Sequence, residues 1–190
     1  VWRHVQDADL TLLVAALGVY IVSCFVASVQ WVILAKALRL SVRTRAMFAL
    51  YGIGLYFNNF LPTNIGGDVY KGFRVAKLSG QPEVTAASII VDRFLGVFTV
   101  LIIPAAAAPF LPQVPREVSV GVWALIVALV VFVTVGSHAM KRFFWSATER
   151  FLPRGARRVG QNLLDALWGY EKKRLALFSA FATALGVQLL

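Results

Sequence analysis

The sequence has little of what most metal-binding, disulfide-bonded and catalytic proteins require. Cys24 is the only cysteine and lies within an apolar run, which excludes a disulfide framework and a thiolate metal site. The two histidines, His4 and His138, lie far apart in the chain and have no carboxylate at ligand spacing. No Walker loop, dinucleotide fingerprint or Ser-His-Asp arrangement occurs. The sequence therefore predicts no catalytic residue, no metal and no cofactor.

Acidic residues are also scarce. There are 9 Asp and Glu against 19 Lys and Arg, giving a formal net charge of +10. The bases cluster at the ends of apolar runs, so we expect no nucleic-acid partner and interpret them as topology signals that contact anionic lipid headgroups. Hydrophobic residues make up 59% of the chain, compared with about 45–50% in soluble domains. The composition therefore indicates a membrane protein.

Long, uncharged apolar runs are the main feature of the sequence. The first run has 26 residues without a charge, and about 20 suffice to cross the hydrocarbon core. The last run has not ended at Leu190, and the chain begins with Val1, so we expect a fragment of a longer protein that forms a single membrane domain. The predicted membrane spans are residues 10–35, 86–110, 119–137 and 175–190.

A shorter uncharged run, residues 46–61, has only 16 residues before Pro62. Short cytoplasmic loops carry the excess of Lys and Arg. If this run crossed the membrane, the nine bases of residues 139–174 would lie opposite the four bases of residues 36–45. If the run instead enters and leaves from the cytoplasmic side, only residues 111–118 lie outside. Charge and length therefore predict a re-entrant hairpin, and the alternative is a helix lying on the cytoplasmic leaflet.

The sequence "NNFLPTNIGG" at the end of this hairpin is too polar and too rich in turn residues for a lipid-facing helix. Non-helical backbone at membrane depth persists only where protein buries it or where it lines a wet cavity. We therefore expect a polar cavity that opens to the cytoplasm. Residues 68–78 and 141–172 predict cytoplasmic amphipathic helices, the second with a break between Pro153 and Gly155. Most tryptophans, including Trp31, are placed as interfacial anchors.

The stretch after the hairpin is suited to binding an anion. Gly66 and Gly67 precede a short helix that begins near Asp68 and carries Lys71 and Arg74. Free N–H groups at a helix start favour a negative charge, and the glycines allow close backbone approach, so the stretch is suited to a phosphate. In the alternative interpretation, Asp68 is a helix N-cap and the bases anchor an interfacial helix.

Asp92 and Arg93 lie six and seven residues into the third apolar run, about 10 Å below the membrane edge. An ionisable residue at this depth needs a partner or water and commonly marks a substrate path. Neighbours on a helix point in different directions, so each residue needs a partner elsewhere. We predict Asp68 as the partner of Arg93, and Arg74 or Lys71 as the partner of Asp92. The alternative is an ion-pair network that only holds the hairpin to the span.

These motifs resemble a known family. "YFNNFLPTNIGGDVYKGFRVAK" and, nine residues later, "ASIIVDRFLGV" are similar to the transmembrane region of lysylphosphatidylglycerol synthases and to flippase-like integral membrane proteins. The resemblance covers essentially the whole chain. It rests on a proline stop, a Gly-Gly-Asp with a base shortly after, and a later Val-Asp-Arg motif.

The resemblance implies an all-α, polytopic transmembrane helix bundle that moves aminoacylated phospholipids or lipid-linked sugars between leaflets of the cell membrane. It implies no enzyme activity in this chain, because aminoacyl transfer would need a separate soluble domain. Together with the charge and spacing of the residues described above, the resemblance gives eight substrate-binding candidates: Asn59, Gly66, Gly67, Asp68, Lys71, Arg74, Asp92 and Arg93.

Lipid translocation is thus the leading hypothesis, with anionic or phosphate-bearing membrane lipids as partners. Two alternatives stay open. One is a membrane subunit that docks a cytoplasmic lipid-modifying enzyme through the basic residues 141–174. The other is a membrane transferase acting on lipid phosphates. Such an enzyme would require a metal, and the sequence has no pair of acids at DxxD spacing to bind one.

Overall fold

The structure is a computed structural model and describes residues 9–60, 66–108, 115–134 and 153–190. All regular structure in these ranges is helical, which confirms the predicted all-α class. A 3-10 turn, Gly169–Lys172, precedes the last helix. The helices are α1 (Leu10–Ala37), α2 (Thr44–Phe60), α3 (Gly66–Ser79), α4 (Pro82–Ala107), α5 (Arg116–Thr134), α6 (Arg154–Trp168) and α7 (Arg174–Leu189).

Two of the described helices, α1 and α4, are long and apolar enough to cross a bilayer. They have 28 and 26 residues, with mean hydropathies of 2.5 and 2.1 over their most apolar windows. The N-terminal half of α1 exposes Leu12, Val14 and Leu17. An exposed apolar surface of this extent is typical of a helix that contacts lipid or another protein. Helix α7 is apolar but has only 16 residues, and the four predicted spans stay predictions.

The core lies around the C-terminal half of α1. There, residues from α1, α2 and α3 form one buried apolar cluster, whose members include Trp31, Leu40, Met47, Leu50 and Val75. A second cluster joins α1 to α7 through Leu34, Tyr170 and Ala180. The hydroxyl of Tyr170 donates a hydrogen bond of 2.8 Å to the Leu34 carbonyl. Both clusters fix the basic C-terminal end of α1 against its neighbours.

Helices α2 and α3 run antiparallel and in close contact at Gly54 and Gly67. A Cβ on Gly67 would lie 1.9 Å from the Gly54 carbonyl oxygen, so only glycine permits this approach. The Asn58 side chain accepts a hydrogen bond of 2.7 Å from the Gly67 N–H. The predicted stop at Pro62 lies outside the described residues. The structure contains no membrane, so re-entrance stays a prediction.

Helix α4 begins at Pro82, before the apolar run that starts at residue 86, and a proline in the first turn needs no hydrogen-bond partner for its nitrogen. Pro153 directly precedes α6, and Gly155 lies within that helix. Residues 141–152 of the predicted amphipathic segment lie outside the described residues.

Candidate functional site

An ion pair between α3 and α4 forms the centre of the candidate site. Asp68 lies in the first turn of α3, and its carboxylate faces the Arg93 guanidinium of α4. Arg93 Nη2 donates to Asp68 Oδ1 at 2.6 Å, and Arg93 Nε donates to Asp68 Oδ2. This bidentate geometry gives both direction and strength to the contact. The predicted partnership of Asp68 with Arg93 is confirmed.

Lys71 is the second cation of the site and is almost fully buried, with 2% exposure. Its Nζ lies 2.9 Å from Asp68 Oδ1. The same ammonium lies 4.7 Å from the ring centroid of Trp31 and 4.6 Å from that of Tyr51. Two aromatic faces and one carboxylate therefore replace the water that a lysine would otherwise bind.

The position of Trp31 corrects a prediction. Trp31 has no exposed surface and is not an interfacial anchor. Its Nε1 donates to the Ser88 hydroxyl at 3.3 Å, and the Ser88 hydroxyl donates to the Thr85 carbonyl at 2.7 Å. The indole thus joins α1 to α4 while one face of its ring covers Lys71 of α3.

Asp92 has a different partner from the ones predicted. The Gln30 side chain of α1 donates a hydrogen bond of 3.0 Å to Asp92 Oδ1, and both residues are buried. Lys71 forms its ion pair with Asp68 because residues at spacing three lie on the same side of a helix. The prediction that Lys71 or Arg74 pairs with Asp92 was therefore wrong.

Asp68, Asp92, Lys71 and Arg93 together form the Asp68 cluster. Its formal charges balance, because it contains two acids and two bases. Burial alone raises the pKa of the Asp68 carboxyl, but the hydrogen bonds from Arg93 and the charge of Lys71 outweigh burial and lower that pKa. Burial lowers the pKa of the Lys71 ammonium, and the charge of Asp68 opposes this only in part. Asp68 is therefore held ionised between its two cations.

Arg93 is the accessible member of the cluster. Its side chain is 51% exposed, whereas Asp68, Lys71 and Asp92 are buried. Asp68 occupies one edge of the guanidinium, and the remaining N–H donors are free to bind an incoming anion. The geometry thus presents one oriented, positively charged contact.

The other sequence candidates lie apart from this contact. Arg74 is exposed and forms no ion pair with any acid in the described ranges. Asn59 is exposed and donates to the Leu55 carbonyl of its own helix at 3.1 Å. Gly66 begins α3, and the N–H of Gly67 is already bonded to Asn58. The start of α3 therefore offers an anion fewer donors than the sequence suggested.

Sequence reasoning missed Gln30, Tyr51 and Asn58, and it misplaced Trp31. A signal existed for Gln30, which is the single amide in a 26-residue uncharged run. A lone polar side chain within a membrane span commonly faces a polar partner. No comparable signal marked Tyr51, because its role depends on how α2 packs against α3.

One comparison with known proteins gave a match. The family described as lysylphosphatidylglycerol synthase TM region matches residues 1–190, which is the whole chain. Comparison with curated proteins and with solved structures gave no match.

Proposed function

The chain belongs to the lysylphosphatidylglycerol synthase transmembrane-region family, a membrane family linked to lipid handling, and on this premise we propose that it moves polar-headed lipids between leaflets. The substrates are anionic, aminoacylated or phosphate-bearing lipids. The chain itself makes and breaks no covalent bond. It lies in the cell membrane as a multi-pass protein, with the basic ends of its helices on the cytoplasmic side.

The packing of α2 against α3 supports a re-entrant entry from the cytoplasmic side. With 17 residues, α2 lies at the lower limit of the helix lengths that cross a bilayer, about 17–25 residues. Backbone groups at membrane depth need partners within the protein. The bond from the Gly67 N–H to the Asn58 side chain supplies one such partner, and the close approach of Gly54 to Gly67 buries the backbone at this point. In this arrangement the start of α3 lies within reach of a lipid headgroup.

The contact between Arg93 and Asp68 is the observation that carries the proposal. A headgroup phosphate binds the exposed N–H donors of Arg93 that Asp68 does not use, and an aminoacyl ammonium competes with Arg93 for Asp68. Either headgroup meets an ion pair that already exists, so the site does not leave a bare charge in a poorly hydrated environment. The acyl chains stay in the bilayer during the exchange.

Lys71 has a different role in this proposal. Its ammonium is enclosed by Trp31, Tyr51 and Asp68, so it neutralises and positions Asp68 and leaves direct headgroup contact to Arg93. Arg74, which is exposed on α3, is an outer contact for the phosphate. Asp92 and Gln30 hold α4 against α1 at the depth of Arg93.

Leaflet exchange in proteoliposomes tests the proposal. The full chain is reconstituted with headgroup-labelled phosphatidylglycerol, lysylphosphatidylglycerol or a polyprenyl phosphate, and protein-free liposomes provide the background rate. We expect exchange of at least one of these lipids above background, and a slower rate with Asp68→Asn. Exchange of none of them by folded protein contradicts the proposal.

A further inference from the structure

An open, basic cavity lies where α1 ends and α7 begins. It has a volume of about 510 Å³. The charged residues that line it are five bases and one acid: Lys36, Arg39, Glu171, Lys172, Lys173 and Arg174. In the described part of the chain none of these bases forms an ion pair with an acid, since both ion pairs there involve Asp68. The cavity therefore carries an uncompensated positive charge.

The walls of this cavity are fixed in position. Tyr170 precedes the basic run 172–174, and its hydroxyl bonds to the carbonyl of Leu34, which lies just before Lys36. Leu34 and Tyr170 both belong to a buried cluster. The Lys36 ammonium donates to the Val42 carbonyl, which also fixes the chain that leaves α1. The two segments that carry the bases are thus held around one space before any ligand arrives, while the side chains of the bases are exposed.

Arg39 has a backbone conformation that is unfavourable for its residue type. Its φ is 60°, and it is the one non-glycine residue with positive φ in the described ranges. The N–H of Arg39 bonds to the Lys36 carbonyl and the N–H of Leu40 bonds to the Ala35 carbonyl, which is the hydrogen-bond pattern of a Schellman helix end. Glycine usually occupies this position. A base held here at a conformational cost, beside four others, indicates a use for its charge.

We propose that this cavity is a binding site for a phosphate-bearing anion, and that its principal ligand is an anionic lipid headgroup. Basic pockets between membrane helices on the cytoplasmic side bind anionic headgroups. Both α1 and α7 are apolar and meet the cavity at their charged ends, and the basic ends of apolar membrane helices lie near lipid headgroups. The site uses none of the residues of the Asp68 cluster, so it does not rest on the proposed translocation.

Lipid retention tests this site without any transport. The intact protein in a mild non-ionic detergent is titrated with phosphatidylglycerol, phosphatidylcholine or pyrophosphate, and bound molecules are counted by native mass spectrometry. Lys172→Gln, Lys173→Gln and Arg174→Gln are combined in one variant. Its matched control carries Arg43→Gln, Arg45→Gln and Lys77→Gln, which removes the same charge from exposed bases outside the cavity.

We expect the cavity variant to bind phosphatidylglycerol on the order of a hundredfold more weakly, at about fivefold per base, while the control binds as the wild type does. Pyrophosphate binding that depends on the same three bases, without lipid binding, supports the site and assigns it to a soluble phosphate. Equal losses in both variants, or no loss in either, overturn the proposal. Binding of polyglutamate that depends on the same three bases, with no binding of any phosphate compound, also overturns it, in favour of an acidic protein segment.

Arg39→Gly separates binding from folding. Glycine relieves the positive φ and removes one base, so we expect a higher melting temperature together with about fivefold weaker phosphatidylglycerol binding. A residue that served only to end α1 would give the higher melting temperature with unchanged binding, and that result contradicts the proposal.

Discussion

Arg93 of α4 and Asp68 of α3 form a bidentate ion pair in which the carboxylate is buried and the guanidinium is half-exposed. The asymmetry matters because an exposed ion pair contributes little to stability, and a fully buried one is not accessible to a ligand. Here the buried Lys71 ammonium also pairs with the Asp68 carboxylate. Arg93 can therefore bind a different anion without leaving that carboxylate unpaired. Each prediction below tests one part of this arrangement.

Lys71→Met should destabilise the protein by about 3 kcal/mol, because it leaves Asp68 with one partner and removes the cation that lies over the two aromatic rings. Thermal unfolding in detergent measures the change. Lys77→Met is the matched control, since Lys77 is an exposed lysine of the same helix, and its effect should stay within about 0.5 kcal/mol. Equal effects of the two substitutions would show that the enclosure of Lys71 contributes nothing.

Gly67→Ala should separate α2 from α3. The added Cβ would lie 1.9 Å from one backbone oxygen, and backbone cannot rotate away as a flexible side chain can. We expect a loss of about 3 kcal/mol, at the upper end for an overpacked contact. Gly52→Ala, on the exposed side of α2, meets no atom within 4 Å and should stabilise the helix by about 0.5–1 kcal/mol. A tolerated Gly67→Ala would contradict the close contact.

The neighbouring asparagines Asn58 and Asn59 should differ in effect. Asn58→Ala removes the acceptor for the Gly67 N–H and should cost about 1 kcal/mol of stability. Asn59→Ala removes only a bond to its own helix and should change stability by less than about 0.5 kcal/mol. If Asn59 also contacts the headgroup, its substitution slows lipid exchange at unchanged stability. A larger loss of stability in Asn59→Ala than in Asn58→Ala would contradict the hydrogen bond between Asn58 and Gly67.

Gln30 and Asp92 should be coupled energetically. Gln30→Leu leaves a buried carboxylate without its donor and should cost about 1–3 kcal/mol. The same substitution in an Asp92→Leu background should cost much less, because no acceptor then remains unpaired. A double-mutant cycle of unfolding free energies measures the coupling. A coupling near zero would mean that Gln30 does not serve Asp92.

The sequence was sufficient to predict the all-α class and one ion pair. The Asp68–Arg93 pairing followed from the cost of an unpaired charge in a membrane span. The partner of Asp92 did not follow, because Lys71 lies three residues from Asp68 on the same helix and is taken by it. The spacing of three residues alone would have indicated that Asp68 competes with Asp92 for Lys71.

The face that each apolar helix turns to its neighbours could not be predicted from the sequence. Helix α1 is apolar on all sides, so nothing in its pattern indicates that Trp31 is buried while Leu12 and Val14 are exposed. The contact that decides this is the packing of Trp31 and Tyr51 over Lys71, which involves three separate helices. Long-range packing of this kind is not encoded in local periodicity.

Leaflet exchange by Arg93→Gln tests the central claim most directly. Wild type, Arg93→Gln and Arg45→Gln are reconstituted at equal density, with folding checked by circular dichroism, and exchange of labelled lipid is followed. Loss of a charge-assisted contact should slow exchange roughly tenfold or more in Arg93→Gln. Arg45→Gln, which removes an exposed base outside the cluster, should behave as the wild type. Unchanged exchange by a folded Arg93→Gln protein would contradict the account.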